Sequence, residues 1–262
     1  MERLSYVGGI KESDGRVDEA NLADLRPTEI GLFLDVDGTL LDLAPRPEAV
    51  AVPGGLPDTL AAVERRLEGA LALISGRPIE QLDRLFAPLR LRASGLHGAE
   101  IRQSSDAPGP WLTQARLPER AWHDLHRLLD RFPGTFAENK GVGFAVHHRV
   151  AGEAKEALAA ALQDFVEELA AFNLELCSGH RVLEIKPSGS DKGKAIECFM
   201  AGEPFVGRRP VFVADDLMDR AGFDVALARG GLAFSVGAAL PGLSGCFPQP
   251  AAVRAWLGRV AR

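Results

Sequence analysis

Three apolar runs in this chain each stop on a polar cluster, and that pattern constrains the fold more than any other feature. Ile30–Leu34 runs into Asp35, Ala70–Ile74 into Ser75-Gly76-Arg77, and Pro210–Ala214 into Asp215-Asp216. Short unbroken apolar runs with polar ends are the pattern of strands buried on both faces, as in a parallel sheet. Helical spacing lies between them. Leu60, Val63 and Leu67 share a face over Thr59–Leu67, and Ile79–Phe86 reads as a further helix with Pro78 in its first turn. Leu91–Ala93 then leads into Gly95–Ile101. The alternation predicts an open α/β sheet. Ligands bind such sheets outside the carboxyl ends of the strands, so the three clusters are expected to converge.

The pattern changes after Ser104–Pro110, a Ser/Pro/Gly stretch that reads as a linker. Pro118–Phe132 predicts an amphipathic helix whose apolar side includes Trp122, a core residue. Thr135–Glu138 and Gly143–His148 predict a hairpin around Asn139-Lys140-Gly141. Glu153–Phe172 predicts a long helix, and Leu174–Cys177 with Arg181–Ile185 a second hairpin. After Lys186-Pro187 the α/β alternation resumes, with a helix over Lys192–Met200, a strand at Leu232–Val236 and a helix over Ala251–Val260. The predicted fold is therefore α/β: a parallel-sheet core with an inserted α+β domain. Residues 1–27 read as a tail, 28–108 and 187–262 as the core, and 109–186 as the insert.

The chain's 262 residues suffice for a core plus such an insert. Apolar residues at 46% and charged residues at 25% match a globular chain, and no apolar run approaches the ~20 residues that span a bilayer. Met1–Asn21 has no apolar region of a secretory signal, so a cytoplasmic location is expected. A net charge of −6 without a basic, aromatic-laced cluster argues against a nucleic-acid partner. Cys177, Cys198 and Cys246 are scattered, and are read as thiols rather than a disulfide framework or zinc site. No membrane partner and a monomer are expected.

Carboxylates at converging strand ends make a hard oxygen-ligand site that suits Mg²⁺, which binds phosphate oxygens as well. A carboxylate can also attack phosphorus. The transferring phosphoryl group then needs donors around its oxygens. Ser75 offers a hydroxyl and Lys192 a point charge, while Asp37 can give a proton to the leaving oxygen and later take one from water.

Asp35-Val36-Asp37-Gly38-Thr39, Ile74-Ser75-Gly76-Arg77, Lys192 and Asp215-Asp216 together resemble, in order and spacing, the four motifs of the haloacid dehalogenase (HAD) superfamily of phosphatases. The resemblance implies a HAD-like Rossmannoid core with an inserted cap. It also implies Asp35 as nucleophile, Asp37 as general acid/base, Ser75 and Lys192 as phosphoryl holders, and Mg²⁺ on Asp35, Asp37 (through its carbonyl), Asp215 and Asp216. Leu96-His97-Gly98-Ala99-Glu100, Glu138-Asn139-Lys140-Gly141 and Glu184–Gly193 further resemble the trehalose-6-phosphate phosphatase subgroup. That implies a disaccharide-phosphate substrate, with contacts from Arg77, His97, Glu100, Lys140, Arg149, Glu184 and Lys186. Strand alternation agrees: Leu183 and Ile185 point one way, Glu184 and Lys186 the other.

Plainer readings stand beside these. Asp35 and Asp37 could cap a helix, Ser75 could be an N-cap, His97 structural, and Arg77, Lys140, Arg149 and Glu184 surface charges. His147 and His148 read as surface strand residues with no third ligand for zinc, and Lys194 as solvated. The fourth motif also departs from the family's Gly-Asp-Asp-x-Thr-Asp-Glu: Ala214, Met218 and Arg220 replace its Gly, Thr and Glu. Arg220 is expected to bring positive charge near the metal. Another sugar phosphate as substrate, or a catalytically weak regulatory protein, remain the alternatives.

Overall fold

The computed structural model describes residues 26–44, 49–107, 111–112 (backbone), 116–149, 152–179 and 181–262. The expected tail falls almost wholly outside them. The strands are β1 (Ile30–Leu34), β2 (Leu71–Ile74), β3 (Arg92–Gly95), β4 (Glu100–Arg102), β5 (Trp111–Leu112), β6 (Thr135–Asn139), β7 (Phe144–His148), β8 (Leu174–Gly179), β9 (Val182–Pro187), β10 (Arg209–Ala214), β11 (Leu232–Val236) and β12 (Gly245–Phe247).

Eight of them form one sheet in the order β12-β11-β10-β1-β2-β3-β4-β5. Pairing is parallel from β12 to β3, and β4 and β5 add on antiparallel. Every residue of β1, β2 and β11 is buried, as expected of parallel strands covered on both faces. Leu34 pairs with both Val213 and Leu73, so β1, β10 and β2 end nearly level and side by side. Asp35, Ser75 and Asp215 follow those ends. One apolar cluster, including Phe33, Phe199, Phe205, Phe212 and Trp256, packs this sheet between its helices.

The other four strands form an antiparallel sheet, β6-β7-β9-β8. Phe144, Val146, Leu183 and Ile185 from one face of it join Leu125, Leu158 and Leu162 from the helices Glu119–Leu129 and Glu153–Glu168 in a second core, against which Trp122 packs. The β6–β7 turn is closed by Gly141 at φ +80°, whose N–H donates to Asn139 Oδ1 at 2.8 Å.

Several boundaries differ from expectation. The helix expected at Thr59 begins at Leu56, since Gly55 turns the chain at φ +78° and Pro57 suits the first turn. The helix expected to reach Phe172 ends at Glu168, and Ala170–Phe172 tightens into a 3₁₀ turn before Asn173 in the left-handed region. Strand β12 has three residues, too few for a periodic signal, and went unforeseen. His148 is buried, not on the surface. No helix among the described residues is long and apolar enough to cross a membrane.

Candidate active site

A cleft of about 920 Å³ lies over the carboxyl ends of β1, β2 and β10 and is walled on the other side by the antiparallel sheet. Asp35, Lys192, Asp215 and Asp219 sit on its core side, and Lys140, His147 and Glu184 on the other. Asp35, Lys192 and Asp219 are buried.

Lys192 opens the helix Lys192–Met200, whose N-cap Asp191 accepts a hydrogen bond from the Lys194 N–H. Its Nζ lies 2.7 Å from Asp35 Oδ1 and 2.7 Å from Asp219 Oδ1. Burial alone would lower the Lys192 pKa, but Asp219 and Asp35 outweigh it and raise it above the ordinary value. Burial, then the Asp35 charge, pushes Asp215 up to about 8. Burial likewise pushes Asp219 up to about 7, against the pull of Lys192 and with a push from Asp35. The Thr39 hydroxyl donates to Asp35 Oδ2 at 3.3 Å.

Oxygens of Asp35, Asp215 and Asp219 all lie within 4.8 Å of one another. Asp219 Oδ2 is buried without a hydrogen-bond partner among the described residues. This all-oxygen, mutually repelling set fits a hard divalent cation, whose charge would relieve the raised pKa values. Gly38 makes the cluster possible. Its φ is +75°, and a Cβ there would stand 1.9 Å from Asp215 Oδ2. Asp216, expected beside the metal, instead turns its Oδ1 to accept from the Met218 N–H at 3.0 Å, capping the turn Leu217–Asp219. Asp219, whose contact with the metal stood open beside that of Asp216, is the one that joins the carboxylate cluster.

Both Asp37 oxygens are held by Arg77, at 2.6 Å from Nε and 2.8 Å from Nη2. The Arg77 Nη1 donates to Gln81 Oε1 at 3.3 Å. Ser75 is buried, and its Oγ accepts from the Arg77 N–H at 3.1 Å. Across the cleft, Glu184 accepts from Lys140 at 2.7 Å and lies 2.7 Å from His97 Nε2, while Lys140 also donates to the Gly76 carbonyl at 3.2 Å. Burial would raise the Glu184 carboxyl, yet Lys140 and His97 together hold it well below its ordinary range. Burial pushes His97 down despite Glu184. His97 is aimed from a turn in which Leu96 and His97 both have positive φ, 52° and 53°, a conformation L-residues adopt only under constraint.

Arg149 lines the cleft and is exposed. Two expected substrate contacts lie outside the cleft wall. Glu100 Oε2 accepts from the Ile79 N–H at 2.7 Å and so braces the start of a core helix. Lys186 donates to the Ser190 carbonyl at 2.9 Å and faces Glu175 at 3.3 Å. The charge expected from Arg220 is also absent from the metal side, because its Nε pairs with Asp224 at 2.8 Å on the surface. Met218 does line the cleft. Thr39 and Gln81 were missed as site residues, although Thr39 stands within the recognised motifs, and Asp219 was left open as a metal contact.

The parallel sheet, its acidic strand ends and the buried lysine define a phosphatase of the haloacid dehalogenase type. The sequence profile of the family described as Trehalose-phosphatase matches residues 33–239. The chain is 40% identical over 209 residues to the trehalose-6-phosphate phosphatase of Escherichia coli K12, covering 78% of this chain and 76% of that one. It is 36% identical over 232 residues to a probable trehalose-phosphate phosphatase of Sinorhizobium fredii, covering 88% and 87%. The C-terminal domain of a Candida albicans trehalose-6-phosphate phosphatase has the same fold, with a TM-score of 0.78 at 19% identity over 95% of this chain and 99% of that one. The chain belongs to the trehalose-phosphatase family.

Proposed function

We propose that this protein hydrolyses trehalose 6-phosphate to trehalose and phosphate through an aspartyl-phosphate on Asp35. The observation that carries the reading is the cluster of Asp35, Asp215 and Asp219 around buried Lys192, on the floor of a cleft whose far wall carries Lys140, His147 and Glu184. In the first step a carboxylate oxygen of Asp35 bonds to phosphorus, the bond to the sugar 6-oxygen breaks, and Asp37 gives that oxygen a proton. For this, one of the two Arg77 contacts to Asp37 gives way to the leaving oxygen. In the second step water attacks phosphorus, Asp37 takes its proton, and Asp35 is released. Lys192 and Ser75 donate to the phosphoryl oxygens. Asp35, Asp215 and Asp219 would hold Mg²⁺, which supplies positive charge for the phosphoryl oxygens.

Glu184, Lys140 and His97 would exchange contacts with one another for contacts with sugar hydroxyls. The four-stranded sheet and its two helices act in this reading as the cap, residues 109–186, on a core of 28–108 and 187–262. Three free thiols suit a reducing, cytoplasmic compartment, and a monomer suffices, since one chain supplies every residue named. Phosphate release measured with Mg²⁺ over a panel of sugar phosphates tests the assignment. Trehalose 6-phosphate should give the highest kcat/KM, and no preference for it over sucrose or monosaccharide phosphates would sink the reading.

A further inference from the structure

The cleft face of the small sheet carries an aromatic pair that no catalytic step uses. Phe136 of β6 pairs directly across the ladder with His147 of β7, and their rings stack at 4.5 Å with 11° between planes. Both line the cleft. Phe136 is 48% exposed, although the sheet's other face offers an apolar core that the neighbouring Ala137 packs against. The pairing continues from His147 to Val182 of β9, which also lines the cleft. The next row on the cleft face carries two carboxylates: Glu138 pairs with Ala145, and Ala145 with Glu184. His147 Nε2 lies 3.6 Å from a carboxylate oxygen of Glu138 on the same face.

A pyranose ring has the same division, with an apolar C–H face and a rim of hydroxyls. C–H groups are attracted to the electron-rich face of an aromatic ring, and binding pockets join such faces to a few placed polar groups. The position also matters. Lys140 touches the core at Gly76, beside Ser75, and Phe136 lies four residues earlier in the chain, about 13 Å away at strand rise. We infer that the stacked Phe136–His147 pair is the platform for the second sugar ring of the substrate, the ring that carries no phosphate, and so selects disaccharide over monosaccharide phosphates.

This inference rests on the proposed activity, and the experiment separates the two. Phosphate release from trehalose 6-phosphate and from glucose 6-phosphate is measured for the parent, Phe136→Ala and Phe136→Trp, all full length. The Ala variant should raise KM for the disaccharide about tenfold, with a smaller change in kcat. Its preference, as the ratio of the two kcat/KM values, should fall by a similar factor. The Trp variant should keep KM within about threefold of the parent. An active parent whose KM and preference survive Phe136→Ala overturns the inference alone, as does a Trp variant no better than Ala. A parent that releases no phosphate from trehalose 6-phosphate overturns the proposed activity and this inference with it.

Discussion

Substituting Gly38 by Ala isolates the close approach that assembles the acidic cluster. Gly38 holds φ +75°, and an added Cβ would stand 1.9 Å from Asp215 Oδ2, where ordinary contact begins at 3.4 Å. The Asp215 carboxylate must therefore shift by about 1.5 Å from its place in the cluster. A displacement of that size at a catalytic centre costs on the order of 10²-fold in rate, or about 3 kcal/mol. Backbone strain is a separate effect, since Ala in the left-handed region costs about 1–2 kcal/mol. Gly55 supplies the control: its φ is +78°, but a Cβ there meets nothing within 4 Å. Both Ala variants should lose roughly 2–8 °C in Tm. Only Gly38→Ala should also lose kcat/KM about 10²-fold and need more Mg²⁺ for half-maximal activity. If Gly38→Ala keeps parental turnover and Mg²⁺ dependence, the glycine does not set the position of Asp215.

Other outcomes follow from the same geometry. Lys192→Met leaves Asp35 and Asp219 buried without their counter-charge, which costs about 3–5 kcal/mol; the fall in Tm should be largest without divalent cation, and an unchanged Tm would refute the pairing. Chelation should stop turnover and Mg²⁺ restore it, with metal at 100-fold its Kd adding about 2.7 kcal/mol of stability; undiminished turnover after exhaustive chelation would refute the metal assignment. Glu184 has its folded pKa held below the ordinary 4.5, so its contribution to stability is present above about pH 4.5 and is lost as pH falls further. The stability gap between parent and Glu184→Gln should therefore narrow on acidification below pH 4.5, and a gap that widens there would refute the sign.

The sheet core was legible because strands buried on both faces leave unbroken apolar runs, and Asp35, Ser75 and Asp215 were found as the residues that end those runs. Contacts across long sequence separations left no such trace. Arg77 clasping Asp37 from 40 residues away, and Glu184 meeting Lys140 from 44, depend on which strands each sheet sets near one another. Asp216 and Asp219 were indistinguishable by type, and only the 3₁₀ turn decides that the first caps while the second faces Lys192. Glu100 and Lys186 had the right chemistry for a sugar but point to backbone groups. Phe136 was not singled out in the sequence, because nothing in the strand Thr135–Glu138 shows which of its faces forms the cleft wall.

The return from the small sheet to the core is short. Strand β9 ends at Pro187, and the helix carrying Lys192 begins after four residues, Ser188 to Asp191. Lys186 ties the end of the strand to the Ser190 carbonyl, so this connection is braced rather than slack. A tilt of the sheet would then arrive at the helix as torque instead of being absorbed by a tether. The small sheet's cleft wall and the ammonium beside Asp35 are in that sense two ends of one lever.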